Sequence, residues 1–176
     1  MEKSNDKGVY LPLENVESEH CALIVDKGLG KVQGISSHKV ELNNNRAFIA
    51  GKDLAELIPK AVKEIRDLGY NVTTVKKSFP VLSMTCASCA NSTQEILAMQ
   101  PGVISASVNY ANAIATVEYI TPLTDAHKLK AALQSAGYDL MIDESNEATV
   151  SMEELQVQNH KALKRRTFGA ILFSLP

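Results

Sequence analysis

Apolar side chains along residues 77–143 switch repeatedly between the spacing of a strand and that of a helix. Ser78–Ser83, carrying Phe79, Val81 and Leu82, predicts a strand, and Ala87–Met99 predicts a helix. Pro101-Gly102 marks a turn. Val103–Tyr110 then alternates, with Ile104, Ala106, Val108 and Tyr110 on one face. Ala113–Tyr119 reads as another strand, and Tyr110-Ala-Asn-Ala113 between the two suits a hairpin turn. Helical spacing returns at Ala126, Leu129, Leu133 and Ala136. Gly137 stops that helix, and Tyr138–Ile142 predicts a last short strand.

The same order occurs earlier in the chain, at a constant offset of 68 residues. That shift superposes Cys89 on Cys21, Gly102 on Gly34, Gly137 on Gly69 and Tyr138 on Tyr70, with no gap. Ala90, Ser105, Val108, Asn112, Ala115 and Lys128 fall on Ala22, Ser37, Val40, Asn44, Ala47 and Lys60. Two copies of one unit are therefore expected, at residues 8–75 and 77–143, after a disordered N-terminus at 1–7. In the first copy Leu54, Leu57, Ile58, Ala61, Ile65 and Leu68 form one helical stripe, and Asp53 with Glu56 resembles a capping arrangement. The order βαββαβ, twice, predicts an α+β protein of two tandem ferredoxin-like domains. In each, two helices would cover one face of a four-stranded antiparallel sheet. About seven residues, Tyr70 to Lys76, link the copies, which predicts limited freedom between them.

Composition narrows the setting. Of 176 residues 45% are apolar, enough for one or two small cores. Eighteen basic residues are offset by 20 acidic ones, which gives no nucleic-acid surface. Three cysteines are too few for a disulfide framework, so reduced thiols and a cytosolic location are expected. Met1–Gly8 is polar and lacks the apolar core of a signal peptide.

The chemistry concentrates in Met84-Thr85-Cys86-Ala87-Ser88-Cys89. The two thiols sit at a predicted strand-to-helix turn, where free N–H groups and the helix dipole favour thiolate. Paired thiolates suit a soft metal ion such as Cu(I) or zinc. The same spacing also occurs by chance, in half of a zinc site, or in a thioredoxin-type redox pair. Cys21 is the one other cysteine, and no His-x₃₋₅-His pair follows.

Met84-Thr85-Cys86-x-x-Cys89 opening a βαββαβ unit, with Gly102 and Gly137-Tyr138 in place, resembles a heavy-metal-associated domain. Such domains occur as copper chaperones and as tandem N-terminal domains of copper-transporting P-type ATPases. The resemblance implies that Cys86 and Cys89 are Cu(I) ligands, with Ag(I) as a chemical look-alike. It makes Met84 a buried tether of the loop and Tyr138, like Tyr70, the aromatic residue near the metal. Ser83 departs from the Gly usual before the Met. Thr85 stands where zinc- and cadmium-pumping relatives carry an acidic residue, and two thiolates alone satisfy Cu(I), whereas Zn²⁺ prefers four ligands. Implied partners are a copper chaperone or thiol copper donor, with the ATPase core and the membrane in a full-length parent.

The first copy departs at the site. Val16-Glu17-Ser18-Glu19-His20-Cys21 replaces Met-Thr-Cys-Ala-Ser-Cys, so Ser18 stands for the first ligand. A degenerate domain that does not bind Cu(I) tightly is expected. The alternative is a harder site, for Zn²⁺, from Glu17, Glu19, His20 and Cys21. His38 is expected at the surface.

Residues 144–176 belong to neither copy. An acidic linker leads into Lys161, Lys164, Arg165 and Arg166, then into the apolar Thr167–Pro176. This pattern predicts a C-terminal helix that starts a first transmembrane span, with positive charge on the cytoplasmic side. Ten residues are too few to span a bilayer, which needs about 20, so the chain reads as a fragment or a truncated reading frame. No Asp-Lys-Thr-Gly phosphorylation motif or Cys-Pro-Cys is present, so the chain carries no catalytic residues of its own. The leading expectation is a Cu(I)-binding region at the cytoplasmic face of a copper-exporting P-type ATPase. A freestanding tandem copper chaperone and a thiol–disulfide oxidoreductase are the alternatives.

Overall fold

The computed structural model describes residues 7–142, and those up to Met141 belong to one compact unit that holds both repeats. The predicted N-terminal disorder and the C-terminal helix with its membrane entry lie outside the described residues, apart from Lys7. Among the described residues no helix is long and apolar enough to cross a membrane.

The first repeat runs β1 (Lys7–Glu14), α1 (Glu19–Leu29), β2 (Ile35–Glu41), β3 (Arg46–Gly51), α2 (Leu54–Asp67) and β4 (Asn71–Val72). The second runs β5 (Val75–Leu82), α3 (Ala87–Ala98), β6 (Val103–Asn109), β7 (Ile114–Tyr119), α4 (Ala126–Gln134) and β8 (Asp139–Leu140). The sheets are ordered β2-β3-β1-β4 and β6-β7-β5-β8, with antiparallel pairing throughout. Both are the ferredoxin-like arrangement that the periodicity predicts.

The internal symmetry extends to the backbone. Left-handed φ angles recur in pairs 68 residues apart: Asn15 and Ser83, Gly34 and Gly102, Asn45 and Ala113, Gly69 and Gly137. Ser83 has φ 66°, which explains why glycine suits that place: it adopts the left-handed region without steric cost. Gly102 (φ 95°) also lies where a Cβ would come within 2.7 Å of the Leu123 Cβ.

One feature differs from expectation. Val75 and Lys76 pair with Tyr119 and Glu118, so the link between the repeats shrinks to Thr73-Thr74. The start of α4 at Ala126 agrees with the predicted helical spacing, a turn beyond the place equivalent to the start of α2. Leu123 and Thr124 both donate to the Ile120 carbonyl, and Asp125, not Thr121, caps the helix by accepting from the Lys128 N–H. In α2 the expected cap is present: Asp53 accepts from the Glu56 N–H at 3.2 Å.

Leu11, Ile49, Ile58 and Ile65 fill the space between sheet and helices in the first repeat, and Leu97, Leu129, Leu133 and Leu140 are buried in the second. One core position is chemically out of place. Thr93 on α3 is fully buried, and its Oγ1 has no hydrogen-bond partner among the described residues. The matching residue on α1 is Val25, also fully buried. A buried hydroxyl without a partner costs about 1–3 kcal/mol. Thr93→Val should therefore stabilise the protein by about 1 kcal/mol in urea unfolding followed on the second repeat. A loss of stability would mean that the hydroxyl has a partner after all.

Candidate metal centre

The Cys86–Cys89 loop joins β5 to α3, as the sequence predicts. Ser83 turns the chain out of β5 with its left-handed φ, and Cys86, in extended conformation, caps α3. The Cys89 N–H donates to the Cys86 Sγ at 3.2 Å. The Ser88 hydroxyl lies 3.1 Å from the same sulfur, and the Thr85 hydroxyl lies 3.9 Å from the Cys89 Sγ. The pair thus sits at the positive end of α3, whose first turn carries no acidic side chain.

Cys86 and Cys89 are joined as a disulfide, with their Cα atoms 5.2 Å apart. This corrects the expectation of free thiols: the spacing that lets two sulfurs share one metal ion also brings them within bonding distance of each other. Two-electron reduction would return two thiols at the helix start. The donor set fits a soft, low-coordinate ion, because both sulfurs are supplied by one turn. Among the described residues no three His, Cys, Asp or Glu side chains gather as a site for a harder ion.

The supporting residues fall out unevenly. Met84 is half-buried, not buried as expected; the equivalent Val16 is 4% exposed. A methionine is larger than the valine it replaces, and the same place covers only part of it. Thr85 is exposed, and its carbonyl accepts from the Tyr110 hydroxyl at 3.2 Å. Sequence reading places Tyr110 at the end of a strand and the start of its hairpin turn. Its reach to the loop was not visible there, because the β6–β7 turn brings it back toward residue 85. Tyr138 is half-buried just after α4, its N–H donating to the Leu133 carbonyl.

In the first repeat the equivalent loop holds Ser18, Cys21 and Tyr70 together. Ser18 caps α1 and its Oγ accepts from the Cys21 N–H at 3.2 Å. The Ser18 hydroxyl also lies 3.1 Å from the Cys21 Sγ. Hydrogen bonds from Ser18 and then from Tyr70 hold the Cys21 thiol below its ordinary pKa, and the same bond to Cys21 raises that of Tyr70. The Gly-Tyr pair is the sequence signal for this contact. The four-donor alternative of Glu17, Glu19, His20 and Cys21 is not assembled as a metal cluster among the described residues. His38, expected at the surface, is half-buried on β2 and hydrogen-bonded to Asp26 at 3.0 Å.

Two ferredoxin-like repeats with a Cys-x-x-Cys pair at one helix start define a soft-metal-binding module. Residues 79–139 match the family described as the heavy-metal-associated domain. A copper-exporting P-type ATPase of Bacillus subtilis is 32% identical over 172 residues, which is 96% of this chain and 21% of that protein. The water-soluble region of P-type ATPase CopA from Bacillus subtilis superposes with a TM-score of 0.61 at 29% identity, covering 80% of this chain and 93% of that one. A solution structure of the N-terminal soluble domains of Bacillus subtilis CopA gives a TM-score of 0.56 at 30% identity, covering 78% and 94%. The chain belongs to the heavy-metal-associated domain family. It is homologous to the N-terminal soluble region of copper-exporting P-type ATPases and spans about a fifth of the length of the curated relatives it matches.

Proposed function

We propose that this chain is the copper-handling region of a copper-exporting P-type ATPase, with Cu(I) as its cargo and Cys86 and Cys89 as the ligands. The observation that carries this reading is the pair of sulfurs on one turn at the start of α3, without a third ligand gathered around them among the described residues. Cu(I) bound by two thiolates carries net charge −1, which the N-terminus of α3 favours. Met84 and Thr85 shape the loop, and Tyr110 steadies it through the Thr85 carbonyl. Tyr138 takes the place that Tyr70 holds beside Cys21 in the first repeat. Copper arrives from a chaperone or thiol donor by ligand exchange: one incoming sulfur binds before one outgoing sulfur leaves. Ag(I), also soft, would occupy the same pair. The domains at 8–75 and 77–143 divide the work, the first not binding copper tightly and the second carrying the site. The ATPase core and the membrane belong to the longer parent.

The test is an anaerobic Cu(I) titration of the reduced chain against a competing chelator. One tightly bound copper per chain is expected, and none after the Cys86–Cys89 disulfide is left intact. Absence of binding by the reduced chain would send the Cys pair back to the oxidoreductase reading.

A further inference from the structure

The two repeats finish their edge strands differently. β2 and β6 are outer strands of their sheets and share one register: Val40 pairs with Ala47, and Val108 with Ala115. In the second repeat the Val108 N–H points away from the sheet and donates to the Gln94 Oε1 on α3 at 3.1 Å. The shared register turns the Val40 N–H outward in the first repeat as well. Asp26 stands where Gln94 does, but its carboxylate is hydrogen-bonded to the His38 ring at 3.0 Å. Among the described residues no side chain accepts from the Val40 N–H.

Beside this open edge runs a groove of about 390 Å³ between α1 and β2. Ala22, Leu23, Val40 and Leu42 give it an apolar floor. Leu23 is 57% exposed, a large apolar side chain left to water. Glu19 and Asp26 border the groove from the same face of α1, seven residues apart, with Ala22 and Leu23 between them at helical spacing. Lys39 is the base among the lining residues.

The second repeat carries other chemistry at the equivalent places. Leu23 is matched by Asn91, Glu19 by Ala87, and Leu42 by Tyr110, whose hydroxyl serves the metal loop through the Thr85 carbonyl. The repeat with the cysteine pair thus covers its edge N–H with Gln94. The repeat without that pair brings an open strand edge, an exposed leucine and two carboxylates together.

We propose that the groove between α1 and β2 is a docking site for an extended segment of a partner protein, which adds to β2 as a further strand. On the side that meets α1 the segment is apolar at its centre and basic at both ends. An unpaired strand edge is a template for another strand. In such pairing main-chain hydrogen bonds supply affinity, and alternate side chains supply specificity. The apolar centre covers Leu23 and Ala22, and the basic ends meet Glu19 and Asp26. The spacing fits this arrangement. Seven residues of helix rise about 10.5 Å, and residues four apart on a strand are separated by about 13 Å. Two lysines with one apolar residue midway between them therefore reach both carboxylates. The proposal is independent of the metal that Cys86 and Cys89 hold.

The probe is a short peptide with the core Lys-Thr-Val-Thr-Lys, and its control carries Glu-Thr-Val-Thr-Glu. In amide NMR of the full reduced chain the lysine peptide should shift Val40 and its neighbours on β2 and slow hydrogen exchange at Val40, with Val108 unmoved. The glutamate peptide should bind roughly tenfold more weakly, a difference of the size that exposed charge pairs give. Asp26→Gln and Leu23→Asn install the residues that the second repeat folds with at the same places. Each should weaken the lysine peptide by about tenfold, the first by covering the Val40 N–H and the second by removing the apolar contact. Unmoved β2 amides with the lysine peptide, equal binding of the two peptides, or undiminished binding by both folded variants would overturn the proposal. So would β2 shifts on concentrating the chain without peptide, which would give the edge to a second copy.

Discussion

Cys86→Ser is expected to abolish tight Cu(I) binding while leaving the fold intact. The first repeat shows why the two effects separate. Ser18 occupies the equivalent place and caps α1 with the geometry that Cys86 uses on α3: the Cys21 N–H lies 3.2 Å from the Ser18 Oγ, and the Cys89 N–H lies 3.2 Å from the Cys86 Sγ. Serine is among the preferred N-cap residues, so α3 keeps its cap, and stability should change by no more than about 0.5 kcal/mol beyond loss of the disulfide. What is lost is one of two thiolates. Removal of residues that merely support a metal ligand costs roughly 10–100-fold in affinity. Removal of half the ligand set should exceed that and take the reduced chain out of competition with a Cu(I) chelator. Unchanged affinity in the folded variant would contradict the ligand assignment.

Much of this site is legible in the sequence because it rests on local rules. Spacing puts Cys86 and Cys89 on one turn, and the apolar run before them and the helical stripe after them place that turn between β5 and α3. The 68-residue repeat then doubles the signal for every element, so that weak patterns such as the two-residue β4 and β8 gain support from each other. What was not legible depends on contacts distant in sequence. Tyr110 reaches the Thr85 carbonyl from another strand pair, 25 residues away. Ile120 follows the predicted strand Ala113–Tyr119 and becomes part of the other repeat's core. The disulfide lies outside what composition can say, since three cysteines give no pairing by themselves.

Ser18→Cys should give the chain a second copper. The first repeat already holds the rest of the arrangement: Cys21 at the start of α1, a left-handed Asn15 turning the chain out of β1, and Tyr70 hydrogen-bonded to the sulfur. The substitution restores the spacing of Cys86 and Cys89 without adding a residue. In the anaerobic chelator titration the stoichiometry should rise from one copper per chain to two. The new site should be the weaker one. Glu17 and Glu19 flank Ser18 in sequence, where Thr85 and Ala87 flank Cys86, so two exposed carboxylates are carried beside a complex of net charge −1. Exposed like charges at such distances cost on the order of 1 kcal/mol in total, about tenfold in affinity. Raising the salt concentration should narrow the gap, because exposed charges are screened, and adding Glu17→Thr to Ser18→Cys should close part of it. A stoichiometry that stays at one would show that the first loop lacks more than a sulfur atom, and the view of it as a metal loop altered at one ligand would fail.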